Sequence, residues 1–168
     1  ASSSTVLYGD NTWAAAGGDA NTPAFAAYLS SDQGATTSTF TKASVNTEIF
    51  DTDGCYDNSS NYRFTPTTAG KYLVTGAVTI SSAATGSSGS HLLNLGGVKK
   101  NTSFVCYDSS YVRGIASTGE DGMQVVVAIV DMNGSSDYIE LWGYSDLNTV
   151  NFTGAVSATY FGAFRITT

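Results

Sequence analysis

His91 is the one histidine of the chain and Glu48, Glu120 and Glu140 its only glutamates, so the chemistry open to this sequence is narrowly bounded. A Ser-His-Asp mechanism needs a base aligned on a nucleophile. His91 instead opens an apolar run beside a Ser/Gly-rich loop, with no nucleophile-elbow pattern nearby. A paired-carboxylate hydrolase needs two acids flanking one cleft, one of them with a raised pKa, and nothing in the spacing groups the three glutamates. Cys55 and Cys106 with a single histidine fall short of a zinc site; each precedes a Tyr-Asp pair, and two free, partly buried thiols are expected. Asp51, Asp53 and Asp57 offer oxygen ligands at a spacing that Ca2+ could use, but the pattern is not an EF-hand loop and turn formation explains the same residues. The chain therefore reads as noncatalytic, with no cofactor, and with Ca2+ at these aspartates as the one metal to consider.

Binding is better provided for. Tyr107, Asp108, Tyr111, Trp142 and Tyr144 set aromatic rings in polar surroundings, and such rings offer a flat apolar face with a hydrogen-bonding edge, suited to sugars and protein epitopes. Core packing competes with ligand contact for Trp142, and both are open for Tyr107 and Tyr111 beside Asp108-Ser109-Ser110.

Composition says what must hold those rings. The 168 residues make one domain, long enough to bury a core without staples. Hydrophobic residues are 42% and charged residues only 12%, with 18 Gly and many Ser and Thr, which is the profile of a many-stranded all-β domain whose surface is neutral or covered. The net charge of −7, with Lys99-Lys100 the only basic pair, excludes a nucleic-acid groove and an anionic membrane surface as partners. No apolar run approaches a membrane span, and the first residues lack the charged-then-apolar layout of a signal peptide.

Along the chain, residues 1–22 carry no sustained period and are expected to be a linker or stalk end, with the domain occupying 23–168. Residues 23–29 alternate as a first strand. Asp53-Gly54 signals a turn, and residues 62–80 read as a short strand, a Pro66/Gly70 corner and a long strand with Tyr72, Val74, Val78 and Ile80 on one face. Residues 81–90 read as a flexible loop, and Gly96 to Asn101 as a hairpin. Met123 to Asp131 is almost continuously apolar, as a strand buried on both faces would be, and Thr159 to Ile166 carries large apolar groups on both faces. A two-layer sandwich covers only one face of each strand, so the second needs another partner.

The run Phe40 to Asn46, Phe50-Asp51, Phe64-Thr65-Pro66, Gly70-Lys71-Tyr72 and the closing Tyr160-Phe161-Gly162-Ala163-Phe164-Arg165-Ile166 resemble the signature of the C1q/TNF-like jelly-roll superfamily. Leu7-Tyr8-Gly9-Asp10-Asn11-Thr12-Trp13 is similar to a segment that often precedes C-terminal head domains of bacteriophage tail fibres. The resemblance departs at Ala163, where the family usually has Gly, and no collagen-like repeat is present. It implies a two-sheet antiparallel jelly-roll sandwich that packs as a homotrimer through the outer face of one sheet. Phe25, Leu73, Val126, Ala128, Phe161 and Phe164 are the contact candidates, chosen without knowing which parity of each strand faces the core. It further implies a noncatalytic fibre head on a virion surface, binding a host cell-surface receptor or glycan and joined to other virion proteins through its N-terminal segment. A structural trimerisation cap and a secreted C1q-like recognition protein are the rival readings.

Overall fold

The computed structural model describes residues 5–7, 9, 13–15, 21–82, 91–113, 120–147 and 150–167. In chain order the strands are β1 (Thr5–Leu7), β2 (Trp13–Ala15), β3 (Ala24–Tyr28), β4 (Gln33–Ala35), β5 (Thr41–Lys42), β6 (Thr47–Asp51), β7 (Tyr56–Asp57) and β8 (Arg63–Phe64). They continue as β9 (Ala69–Ser82), β10 (His91–Lys100), β11 (Ser103–Arg113), β12 (Glu120–Asn133), β13 (Ile139–Ser145), β14 (Val150–Phe152) and β15 (Tyr160–Thr167). The described residues contain no helix, hence none long and apolar enough to cross a membrane.

Two antiparallel sheets form the sandwich. One runs β11-β10-β13-β8-β7, with β5 also on β13. The other is organised by β9: β12 pairs along one of its edges from Ala69 to Ser82, while β15 and β14 share the other, and β3 and β6 extend the sheet beyond β15. This is the expected all-β, two-sheet jelly-roll class. Within the expected linker, β1 and β2 pair with Leu7 opposite Trp13, because short runs of strand-forming residues can pair without being long enough to show a period. Tyr8 and Asp10, Asn11 and Thr12 of the fibre-like segment lie outside the described residues, as does most of the expected loop at 83–90.

Register partners share a face, which assigns every side chain of the β9 sheet. Tyr72, Val74, Val78 and Ile80 face the other sheet, as the alternation predicts, and are essentially fully buried. Phe25 stacks on Tyr56 at 4.4 Å and on Phe64 at 4.6 Å, and meets Phe161 edge-on at 5.1 Å. Gly76 lies under this layer: a methyl group there would come within 2.8 Å of Leu141 Cδ1, with Phe161 and Val126 next nearest, so the crowding requires glycine. The phenols at the rim bond inward. Tyr56 donates to the Val45 carbonyl at 2.7 Å, and burial pushes its pKa far above the ordinary range; Tyr72 donates to the Thr68 carbonyl, and burial pushes it up to about 12.

Four of the six residues expected at a subunit contact therefore belong to the core. Phe25 and Phe161 are each 1% exposed, Val126 is buried, and Ala128 pairs with core-facing Val74 and packs on the core. Leu73 and Phe164 lie on the outward face. The opposite parity of β12 fills the rest of it: Val125, Val127 and Ile129 point away from the core, with Val127 and Ile129 each 62% exposed. Three rows of register partners cross that face: Ala24, Phe164, Leu73 and Ile129; then Phe50, Ala26, Gly162, Thr75 and Val127; then Tyr28, Tyr160, Ala77 and Val125. The face is apolar across five strands, and a shallow groove of 210 Å3 runs along Ala26, Thr75 and Gly162.

Candidate functional site

The outward face of the other sheet has a different chemistry. Trp142, Gly97 and Tyr107 are register partners across β13, β10 and β11, and Tyr144, Leu95 and Ser109 form the next row. Leu93 and Tyr111 follow in the same parity. Tyr107, Tyr111, Trp142 and Tyr144 thus share one surface although they come from two strands that do not touch. Tyr107 is 64% and Tyr111 70% exposed, whereas Trp142 and Tyr144 are half-buried among neighbouring rings rather than in the core. Asp108 does not join them. Its parity is the opposite one, and its carboxylate accepts from the Val125 amide at 3.3 Å, tying β11 to β12 where the two sheets approach.

Glycine shapes this surface. Gly96-Gly97, expected in a hairpin turn, lies inside β10, which runs on to Lys100 before turning at Asn101-Thr102. Methyl groups at these positions would meet Gln124 Cβ at 2.7 Å and the Cys106 carbonyl at 2.8 Å, so both glycines answer close packing rather than a turn. A bulge at Val98/Lys99 then brings Phe104 opposite Lys99.

That bulge completes a cluster that spacing alone did not reveal. Lys99 Nζ lies 3.8 Å from the centroid of the Trp142 ring, 4.8 Å from Phe104 and 5.4 Å from Phe40. Phe40 packs on Phe104 at 5.1 Å and on Tyr144 at 4.9 Å. Trp142 Nε1 donates to Glu140 Oε2 at 3.1 Å, while the other oxygen of Glu140 takes Lys42 Nζ at 3.0 Å. Tyr144 donates its hydroxyl to Asp146, and that bond raises the phenol pKa. Trp142 and Tyr144 are therefore fixed on β13 by polar anchors, an arrangement that lets a surface bind without first ordering itself. The sequence signal for Phe40, Phe104, Lys99 and Glu140 would have been their shared face, which is legible only once the bulge is known.

The groups considered for catalysis or metal binding are placed elsewhere. Glu48 is on β6 and Glu120 opens β12 in the β9 sheet, whereas Glu140 is on β13 of the other; His91 opens β10. Cys55 and Cys106 are free thiols, and burial pushes the Cys106 thiol pKa up. Asp57 uses its carboxylate on its own loop: it accepts from the Ser59, Ser60 and Asn61 amides at 3.0, 2.9 and 3.0 Å and from Asn61 Nδ2 at 2.7 Å. Asp51 accepts from the Tyr56 and Asp53 amides. Among the described residues no three His, Cys, Asp or Glu side chains converge as metal ligands.

The donors around Asp57, the Ser60 and Ser59 amides foremost, hold its pKa well below the ordinary 3.8. The ionised form therefore stabilises the fold fully above 3.8, and that contribution is lost as pH falls through 3.8 toward the depressed folded value. Asp57→Asn is expected to remove this acid limb. Between about pH 5 and about pH 2, the urea midpoint of the parent chain should fall further than that of the variant, and equal falls would refute the assignment.

No protein-family model matches the chain, and no curated protein sequence does. Solved structures do. The globular domain of zebrafish complement 1qA protein superposes with a TM-score of 0.56 at 16% identity, over 86% of this chain and 97% of that one. Murine APRIL at pH 5.0 superposes with a TM-score of 0.55 at 10% identity, over 85% of this chain and 99% of that one. At such identities the likeness speaks for architecture alone: two antiparallel sheets, wound about a long β9, with the strand order and faces described above, have the C1q/TNF-like jelly-roll fold.

Proposed function

We propose that this chain is a noncatalytic homotrimeric recognition head, the terminal domain of a bacteriophage tail or capsid fibre displayed on the virion surface. One observation carries the assembly: the outward face of the β9 sheet is apolar across five strands, with Val127 and Ile129 each 62% exposed in the single chain. Contiguous apolar surface of that kind marks an interaction site, and three copies about a threefold axis cover it without leaving an open edge. The aromatic face of the other sheet then stays outward and is the surface offered to a receptor on the host cell. The fibre setting is supported by the Leu7 to Trp13 segment, whose resemblance is to fibre proteins and which would join the head to other virion proteins.

Sedimentation equilibrium at micromolar concentration tests the assembly, with three times the chain mass expected; a folded monomer would remove it. Purified head domain added to a host culture should compete with virus adsorption. Failure to compete by an intact trimer would leave a structural cap as the better reading.

A further inference from the structure

We propose that the aromatic face around Lys99 binds a carboxylated polysaccharide, a sugar carboxylate pairing with the Lys99 ammonium, which covers Trp142, while a sugar ring lies on the exposed Tyr107. This rests on the reading of the chain as a recognition head and specifies what that head recognises. The chain has four lysines, and three of them hold a carboxylate: Lys42 with Glu140 at 3.0 Å, Lys71 with Asp131 at 2.6 Å and Lys100 with Asp137 at 2.8 Å. Lys99 differs. Among the described residues no acid lies within ion-pair distance of it, and its ammonium faces the rings of Trp142, Phe104 and Phe40 instead. Ring faces attract a cation but offer its three N–H donors no strong acceptor, so the site is charged, fixed in place and short of one anion.

The surroundings narrow the class of that anion. A net charge of −7 disfavours a dense polyphosphate, which would need several free cations together, whereas one lysine suits a carboxylate carried singly on each repeat of a larger chain. The cluster spans β13, β10 and, through Phe104 and Tyr107, the edge strand β11, and it lies on the face of the sheet, whereas a peptide adding as a strand would use the backbone edge of β11 or β7. What it does offer is a group of ring faces tilted to one another, with the Tyr107 hydroxyl and the Lys99 ammonium at hand. A sugar ring, apolar on its C–H faces and hydrogen-bonding at its rim, is complementary to both.

The test uses the full chain and three acidic polysaccharides: polygalacturonate, polysialic acid and hyaluronan. Each is paired with its carboxyl-reduced form, and poly-L-glutamate serves as the acidic-peptide arm. Isothermal titration should show binding to at least one of the three, weakened by added salt and weaker by about tenfold or more when the carboxylates are reduced. Lys99→Gln should lose a similar factor, Lys99→Arg should restore much of it, and Tyr107→Ala should weaken binding with the charge intact. Unchanged circular dichroism and sedimentation would show that the variants fold and assemble. Absence of binding to all three polymers, equal binding of a reduced form, equal binding by Lys99→Gln, or tighter binding of poly-L-glutamate would each overturn the proposal. Sedimentation of the same samples keeps the two readings apart: an intact trimer that ignores acidic sugars sinks only this inference, while a monomer that binds them sinks only the assembly.

Discussion

Val127→Arg is expected to convert the proposed trimer into a folded monomer. The residue stands in the central row of the outward face, next to Thr75 and in line with Gly162, Ala26 and Phe50, and points away from the core. A guanidinium there keeps its hydration in the single chain, so the sandwich itself is left alone. In a closed trimer the same charge is buried without a counter-ion, at about 3–5 kcal/mol for each contact, which weakens each by roughly two to four powers of ten. Sedimentation at micromolar concentration should show monomers with a far-UV spectrum like that of the parent. A Val127→Arg chain that still sediments as a trimer would mean that this face is not the contact.

Phe25→Ala should act the other way, on the fold of each chain rather than on assembly. Its ring is the hub of the core aromatic stack, touching Tyr56, Phe64 and Phe161, and 1% of it is exposed. Removing it from such a site costs about 3–5 kcal/mol in lost transfer energy and cavity. In a domain of this length each kcal/mol shifts the melting temperature by about 2–4 °C, so a fall of roughly 6–20 °C is expected. Were Phe25 at a subunit contact instead, as its sequence position first suggested, dilution would magnify the effect and the isolated monomer would not feel it. Measuring the substitution in the Val127→Arg background separates the two cases, because the monomer should show the same loss.

These two substitutions also mark where sequence reasoning stops. The nearly continuous apolar run from Met123 to Asp131 correctly announces a strand greasy on both sides, but Val126, Ala128 and Val130 are no more apolar than Val125, Val127 and Ile129. Parity is settled by what stands opposite. Val126 meets Leu141 and Phe161 over Gly76, and the same parity carries Gln124, Val130 and Met132 inward, which leaves Val125, Val127 and Ile129 outside. Gly96-Gly97 misleads for a related reason: glycine serves both turns and tight sheet contacts, and only the positions of Gln124 and Cys106 tell which.

By itself the sequence determined the all-β class, the strand runs around Pro66 and Gly70, the inward face of β9, and the poverty of catalytic groups, because local alternation, turn residues and composition are local properties of the chain. Tertiary structure alone decided which side of β12 faces outward, removed Asp108 from the aromatic surface, and assembled Lys99, Trp142, Phe104 and Phe40 from β5-flanking, β10, β11 and β13 segments. Such outcomes depend on register, on one bulge and on the volumes that meet across the sandwich, and these exist only when strands distant in the chain lie side by side.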